Sequence, residues 1–195
     1  MWLVISNDII VQIRKKSRGG DQKCVSAYVD GKLISDTGEI CFDPDHARFR
    51  VSSDKCGYFS GAPEAETVLS ECVTVRAANE RISLALLPRD AEALADAHDF
   101  LLVAIGTTGT DAESFSPGPE LMPGLQFTMV RKDGKLYAET LEGSVFVKAT
   151  AAKLTVLDPV GRELGEIKGE SRNGFVAFTM LGDLPGVQYR LVIED

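Results

Sequence analysis

Glu64, Glu66, Asp111 and Glu113 are the residues whose type and spacing could do chemistry together. Two carboxyl groups facing each other at about 5 Å, or at about 6.5–9.5 Å, are the machinery of glycoside hydrolysis, one as acid and one as nucleophile or base. All four fall in polar stretches that read as loops, and a chain with 29 acidic residues supplies such pairs by composition alone. The expectation is solvated loops and no catalytic pair. Asp111 and Glu113 remain candidates to hold a cation or to touch a carbohydrate or a partner.

The other reactive types are as sparse. His46 follows Asp45 and His98 precedes Asp99, in two separate loops. A metal centre needs three or four converging ligands, so neither a metal nor a cofactor is expected. Cys24, Cys41, Cys56 and Cys72 contain no CxxC pair. They read as buried free thiols, or as one or two disulfides if the protein is exported. No GxSxG nucleophile elbow occurs. The run Gly106-Thr107-Thr108-Gly109-Thr110 lacks the lysine and spacing of a phosphate-binding loop. Aromatic rings are the remaining signal, because sugars stack on exposed aromatic faces while their hydroxyls seek hydrogen bonds. Tyr58 and Phe59 sit in a glycine loop and Phe115 in the long polar loop, so these three are the candidate contacts to carbohydrate or partner.

The elements that would position these residues are short strands. The segment Arg81 to Gly106 organises the chain: it alternates from Ile82 to Leu86, breaks at Pro88, and resumes as an apolar run from Phe100 to Ile105. Between them, Asp90 to Ala97 reads as a short helical piece capped by Asp90. Before this stretch, Val4–Ile13, Cys24–Val29, Lys32–Ser35, Glu39–Phe42, Arg48–Ser52 and Val68–Arg76 read as strands. After it come Leu125–Val130, Lys135–Thr140, Ser144–Lys148, Lys153–Leu157, Glu163–Lys168, Phe175–Met180 and Val187–Ile193. Asp30-Gly31, Asp133-Gly134 and Asn173-Gly174 mark sharp hairpin turns. Thr107 to Gly118 reads as a long surface loop. Strands at this spacing predict an all-β antiparallel sandwich, with immunoglobulin-like or jelly-roll-like layers and room for a second small sheet. The division expected is a sandwich with an N-terminal hairpin over residues 1–122, and a β region over 123–195 packed on it or completing it.

Composition narrows the partners. The 195 residues are 44% hydrophobic, enough for a substantial core. A net charge of -8 argues against nucleic acid, which needs a positive footprint. The basic cluster Arg14-Lys15-Lys16-Ser17-Arg18 reads as a solvated hairpin tip. No apolar run approaches the roughly 18 residues of a membrane span, and the start, with Asp8, does not read as a secretory leader.

Several segments resemble the accessory β-sandwich that follows the (β/α)8 barrel in large bacterial glycoside hydrolases. The match lies in Arg81–Asp90 with Ala97–Gly106, in Phe49–Asp54 with Gly57–Gly61, and in the hairpin Lys153–Arg162, over about residues 48–195. It departs where Pro88-Arg89-Asp90 replaces an Asp-Gly turn, and where an alanine-rich run replaces the serine before the apolar strand. The resemblance implies a non-catalytic domain or small subunit that packs on and stabilises a catalytic barrel. It would also offer a loop, residues 57–61 or 107–118, to the substrate cleft. The chain is too short and too poor in helices to hold that barrel itself. A free-standing carbohydrate-binding module and a purely structural assembly domain are the alternatives.

Overall fold

The structure is a computed structural model that describes residues 27–110, 114–115, 129–130, 136–180 and 186–194. The expected strand Val4–Ile13, Cys24 and the Asp133-Gly134 turn lie outside these residues. The strands are β1 Ala27–Val29, β2 Lys32–Ile34, β3 Ile40–Asp43, β4 Arg48–Ser52, β5 Gly57–Gly61 and β6 Thr67–Val68. They continue with β7 Val73–Ala77, β8 Ile82–Pro88, β9 Asp99–Thr110, β10 Ser114–Phe115, β11 Met129–Val130 and β12 Leu136–Thr140. The last are β13 Gly143–Val147, β14 Ala151–Leu157, β15 Glu163–Ile167, β16 Gly169–Arg172, β17 Phe175–Met180 and β18 Gln188–Glu194.

Among the described residues these strands form two main antiparallel sheets. The larger runs β1-β2-β3-β4-β5-β8-β9-β18-β14-β15, with β12 also paired to β9. The smaller runs β16-β17-β13-β7-β6, and β10 with β11 makes a separate short ribbon. The chain is all-β and sandwich-like. Residues after 123 sit inside both main sheets, since β7 is flanked by β13 and β9 by β18 and β12.

Alternation explains the packing, because every second residue of a strand shares a face. Partner rows run straight across the large sheet: Phe59, Leu84 and Ala104 in one, and Leu86, Leu102, Tyr189 and Val156 in the next. Across the smaller sheet the rows are Val75, Val145, Phe178 and Val73, Val147, Val176. All of these are buried and belong to one core cluster shared by both sheets. At ~25 cal/mol per Å² of apolar surface removed from water, this core is the dominant stabilising term.

Local chemistry sets the turns. Asp30 (φ 48°) and Gly31 (φ 78°) close β1 on β2, and Asn173 (φ 53°) with Gly174 (φ 79°) closes β16 on β17. Both dipeptides hold the two positive φ values that a type I′ hairpin requires.

Four expectations are corrected. The glycine loop expected over residues 57–61 is strand β5, paired with β4 and β8. The single strand expected over Val68–Arg76 is two strands in a hairpin, with Thr67 opposite Val75. The Ser70 hydroxyl reverses the chain there by accepting the Cys72 and Val73 N–H groups at 3.3 and 3.1 Å. The helical piece over Asp90–Ala97 reduces to a 3-10 turn, Leu94–Asp96. Asp90 does not cap it, because its carboxylate accepts the N–H groups of His98 and Asp99. Finally, Thr107 to Thr110 is strand rather than loop, since β9 runs on and pairs with β12.

Candidate interface on the outer face of the large sheet

Of the residues nominated as contacts, the described structure places the side chains of Tyr58 and Phe59, and these two do not share a face. Phe59 points into the core and is 1% exposed, so its ring has no face to offer a sugar or partner. That corrects its assignment as a contact residue, and the cause is simple alternation: Tyr58 and Phe59 are adjacent on β5, so their side chains point to opposite faces. Asp111 and Glu113 lie outside the described residues. Phe115 is placed only through its backbone, opposite Met129.

The remaining chemical types are engaged in ion pairs. Glu64 meets Arg50 at 2.6 Å and Arg48 at 3.7 Å. Glu66 pairs with Arg76, whose guanidinium lies 4.7 Å from the centre of the Phe146 ring. The His46 ring contacts Asp43 at 3.0 Å. Partial burial would raise the Asp43 carboxyl, but the His46 ring and backbone hydrogen bonds, with the His46 and Lys32 charges, outweigh it and hold Asp43 below its usual range. Asp90 is likewise held low, first by the Asp99 N–H and, against a smaller opposing effect of burial, by the His98 N–H. Cys41, Cys56 and Cys72 are free thiols, and burial pushes Cys56 up. Among the described residues no three His, Cys, Asp or Glu side chains are grouped to hold a metal ion. No helix among them is long and apolar enough to cross a membrane.

What the fold does assemble is a surface that no single stretch of sequence displays. On the side of the large sheet away from the core, partners follow one another from strand to strand. Tyr28 lies opposite Leu33, Leu33 opposite Phe42, and Phe42 opposite Phe49. A second row runs Ile40, Val51, Tyr58, Ala85, Val103. Leu87 and Leu101 form the next pair. At ~4.8 Å per strand, the rows from β1 to β9 span about 29 Å. Tyr28 is 55% exposed, Ile40 43%, and Phe49 and Leu87 37% each. The Phe49 and Tyr58 rings meet edge to face, with centroids 5.9 Å apart.

Strands β3 and β4 make the polarity of this face unusual. Their apolar residues Ile40, Phe42, Phe49 and Val51 point outward, while Asp43, Arg48 and Arg50 point to the core side and form the ion pairs described above. A half-buried strand of an isolated sandwich has the opposite sense, apolar inward and polar outward. In the middle of the face, the Ser60 and Ser83 hydroxyls are 3.0 Å apart and bond each other, so one of the two O–H donors is already met within the sheet. A rim of charge closes one end, where Arg190 and Arg89 both contact Asp99, at 2.9 and 3.4 Å.

Sequence reasoning found Tyr58 and missed its neighbours. Alternation in RFRVS and ICFD was legible, but the face each parity would take was not. No protein-family model matches this chain, and neither the curated proteins nor the solved structures contain a significant match to it.

Proposed function

We propose that this chain is a non-catalytic β-sandwich accessory domain or small subunit of a glycoside hydrolase, which packs on a (β/α)8 catalytic partner and stabilises it. The observation that carries the docking part of this reading is the inverted polarity of β3 and β4 within a continuous apolar outer face. Exposed apolar rows on a sheet are costly in water and are favourable when a partner covers them. The glycosidase part comes from the sequence resemblance in Phe49–Gly61, Arg81–Gly106 and Lys153–Arg162. The layers are read as immunoglobulin-like or jelly-roll-like, a reading supported by a chain that passes from the large sheet to the small one after β5, β12 and β15 and returns after β7, β13 and β17.

The test is co-expression with a (β/α)8 glycosidase barrel encoded alongside this chain, followed by co-purification. A stable complex is expected, lost in the double variant Ile40→Glu, Phe49→Glu while circular dichroism is unchanged. Central apolar anchors of an interface contribute about 2 kcal/mol or more, a weakening of about thirtyfold or more for each. The lone chain is expected to turn over no glycoside. Turnover by the chain alone would overturn the non-catalytic part of the reading. A homodimer abolished by the same double variant would assign the face to a second copy and overturn the barrel part.

A further inference from the structure

Beyond β18, β9 continues as a two-stranded ribbon with β12, and one face of this ribbon carries an aromatic ring beside a polar groove. Tyr137 lies opposite Gly109. A Cβ at Gly109 would collide with the phenol end of Tyr137, so the ring is laid across the glycine backbone. Tyr137 nevertheless remains 56% exposed, which leaves much of the ring to solvent. Two residues along β12 on the same face, Glu139 begins a groove of about 370 Å³ lined by Asn79, Glu80, Thr107, Glu139, Thr140 and Glu142. That volume lies within the range of small-molecule sites, ~300–1,000 Å³.

The groove is held in shape by its own hydrogen bonds. Asn79 donates to the Thr140 carbonyl at 3.1 Å and accepts the Glu142 N–H at 2.8 Å, tying the β7–β8 loop to the base of the ribbon. One Glu139 oxygen accepts the Thr107 N–H at 3.0 Å, and among the described residues the other has no donor. Among the described residues Glu80 and Glu142 have no basic partner, so their carboxylates are available as acceptors. A flat ring held on a glycine next to a row of fixed acceptors fits a ligand with an apolar face and a rim of hydroxyl donors.

We propose that this ribbon face binds a neutral oligosaccharide, one sugar ring stacked on Tyr137 and the next donating its hydroxyls to Glu139, Glu80 and Glu142. The site is separate from the outer sheet face and does not rest on the docking of a barrel. Its charge sets the specificity: three carboxylates repel an acidic sugar, so uronic acid oligomers are excluded.

The experiment is an NMR titration of the ¹⁵N-labelled full chain with maltose, cellobiose, lactose and mannobiose, and with digalacturonate as the acidic probe. At least one neutral disaccharide is expected to shift the amides of Thr107, Gly109 and Tyr137, and digalacturonate is not. Tyr137→Phe keeps the ring and should bind as wild type, whereas Tyr137→Ala should bind about tenfold more weakly. Gly109→Ala retains the tyrosine but removes its bed and should weaken binding in the same direction. Three results would each overturn the proposal: no neutral disaccharide moves these amides, Tyr137→Ala binds as tightly as wild type, or digalacturonate binds better than the neutral sugars.

Discussion

Gly57 sits where β5 passes directly under the turn after β6, and a Cβ there would fall on the backbone carbonyl of Leu69. Backbone cannot rotate aside as a side chain can. Gly57→Ala should therefore destabilise the fold by about 1–3 kcal/mol or more, read as a lower midpoint in urea. Thr67 presents the opposite case. It is fully buried, and its hydroxyl has no hydrogen-bond partner among the described residues. Thr67→Val removes that orphan at almost the same shape and should raise stability by about 1 kcal/mol in the same assay. Tyr189 supplies a pH signature. Burial pushes its phenol from an ordinary 10.0 up to about 12. The neutral phenol is thus favoured in the folded chain. Its contribution is complete below about pH 10 and is lost as pH rises toward 12, on the order of 2–3 kcal/mol in all. Tyr189→Phe should flatten that alkaline loss; an unchanged profile would show that another group governs it.

At the scale of elements, β9 shows how a strand is lengthened by its neighbours. Its first half is apolar and pairs with both β8 and β18, while its glycine- and threonine-rich second half has little side chain to bury. It remains strand because β12 supplies the ladder and because Gly109 leaves room for the Tyr137 ring. Asn79 holds the base of this ribbon from another loop. Asn79→Ala should leave the Glu142 N–H without its acceptor, and hydrogen exchange there should speed up about tenfold or more with the core amides unaffected. Equal exchange in the variant would show that the clasp does not hold the ribbon. The sequence announced none of this, since the GTTGT run has the composition of a loop and its partner strand lies more than twenty residues on.

At the scale of the whole molecule, the two sheets share one core while the large sheet shows a second apolar face to solvent. Without its partner, a chain carrying such a face should aggregate as concentration rises, with no fixed stoichiometry and so unlike the defined homodimer that would assign the face to a second copy. Ile40→Glu with Phe49→Glu should suppress that association, measured by light scattering, while leaving the unfolding midpoint nearly unchanged, because exposed positions contribute within about ±0.5 kcal/mol each. A large fall in midpoint would instead mean that these side chains belong to the core of this fold. Strand existence, the two hairpin dipeptides and the all-β class could be read from the sequence, because alternation and turn chemistry are local properties. Which parity of each strand meets the core is not local: it depends on the register with strands far along the chain. That is why Tyr58 could be nominated beside a buried Phe59, why Phe49 and Ile40 passed unnoticed, and why Tyr137 gained meaning only when Gly109 was brought beneath it. The amino-acid order by itself determined the all-β class, most of the described strands and the Asp30-Gly31 and Asn173-Gly174 turns, and only the tertiary pairing decided which side chains form a surface, because a face is a property of several strands in register.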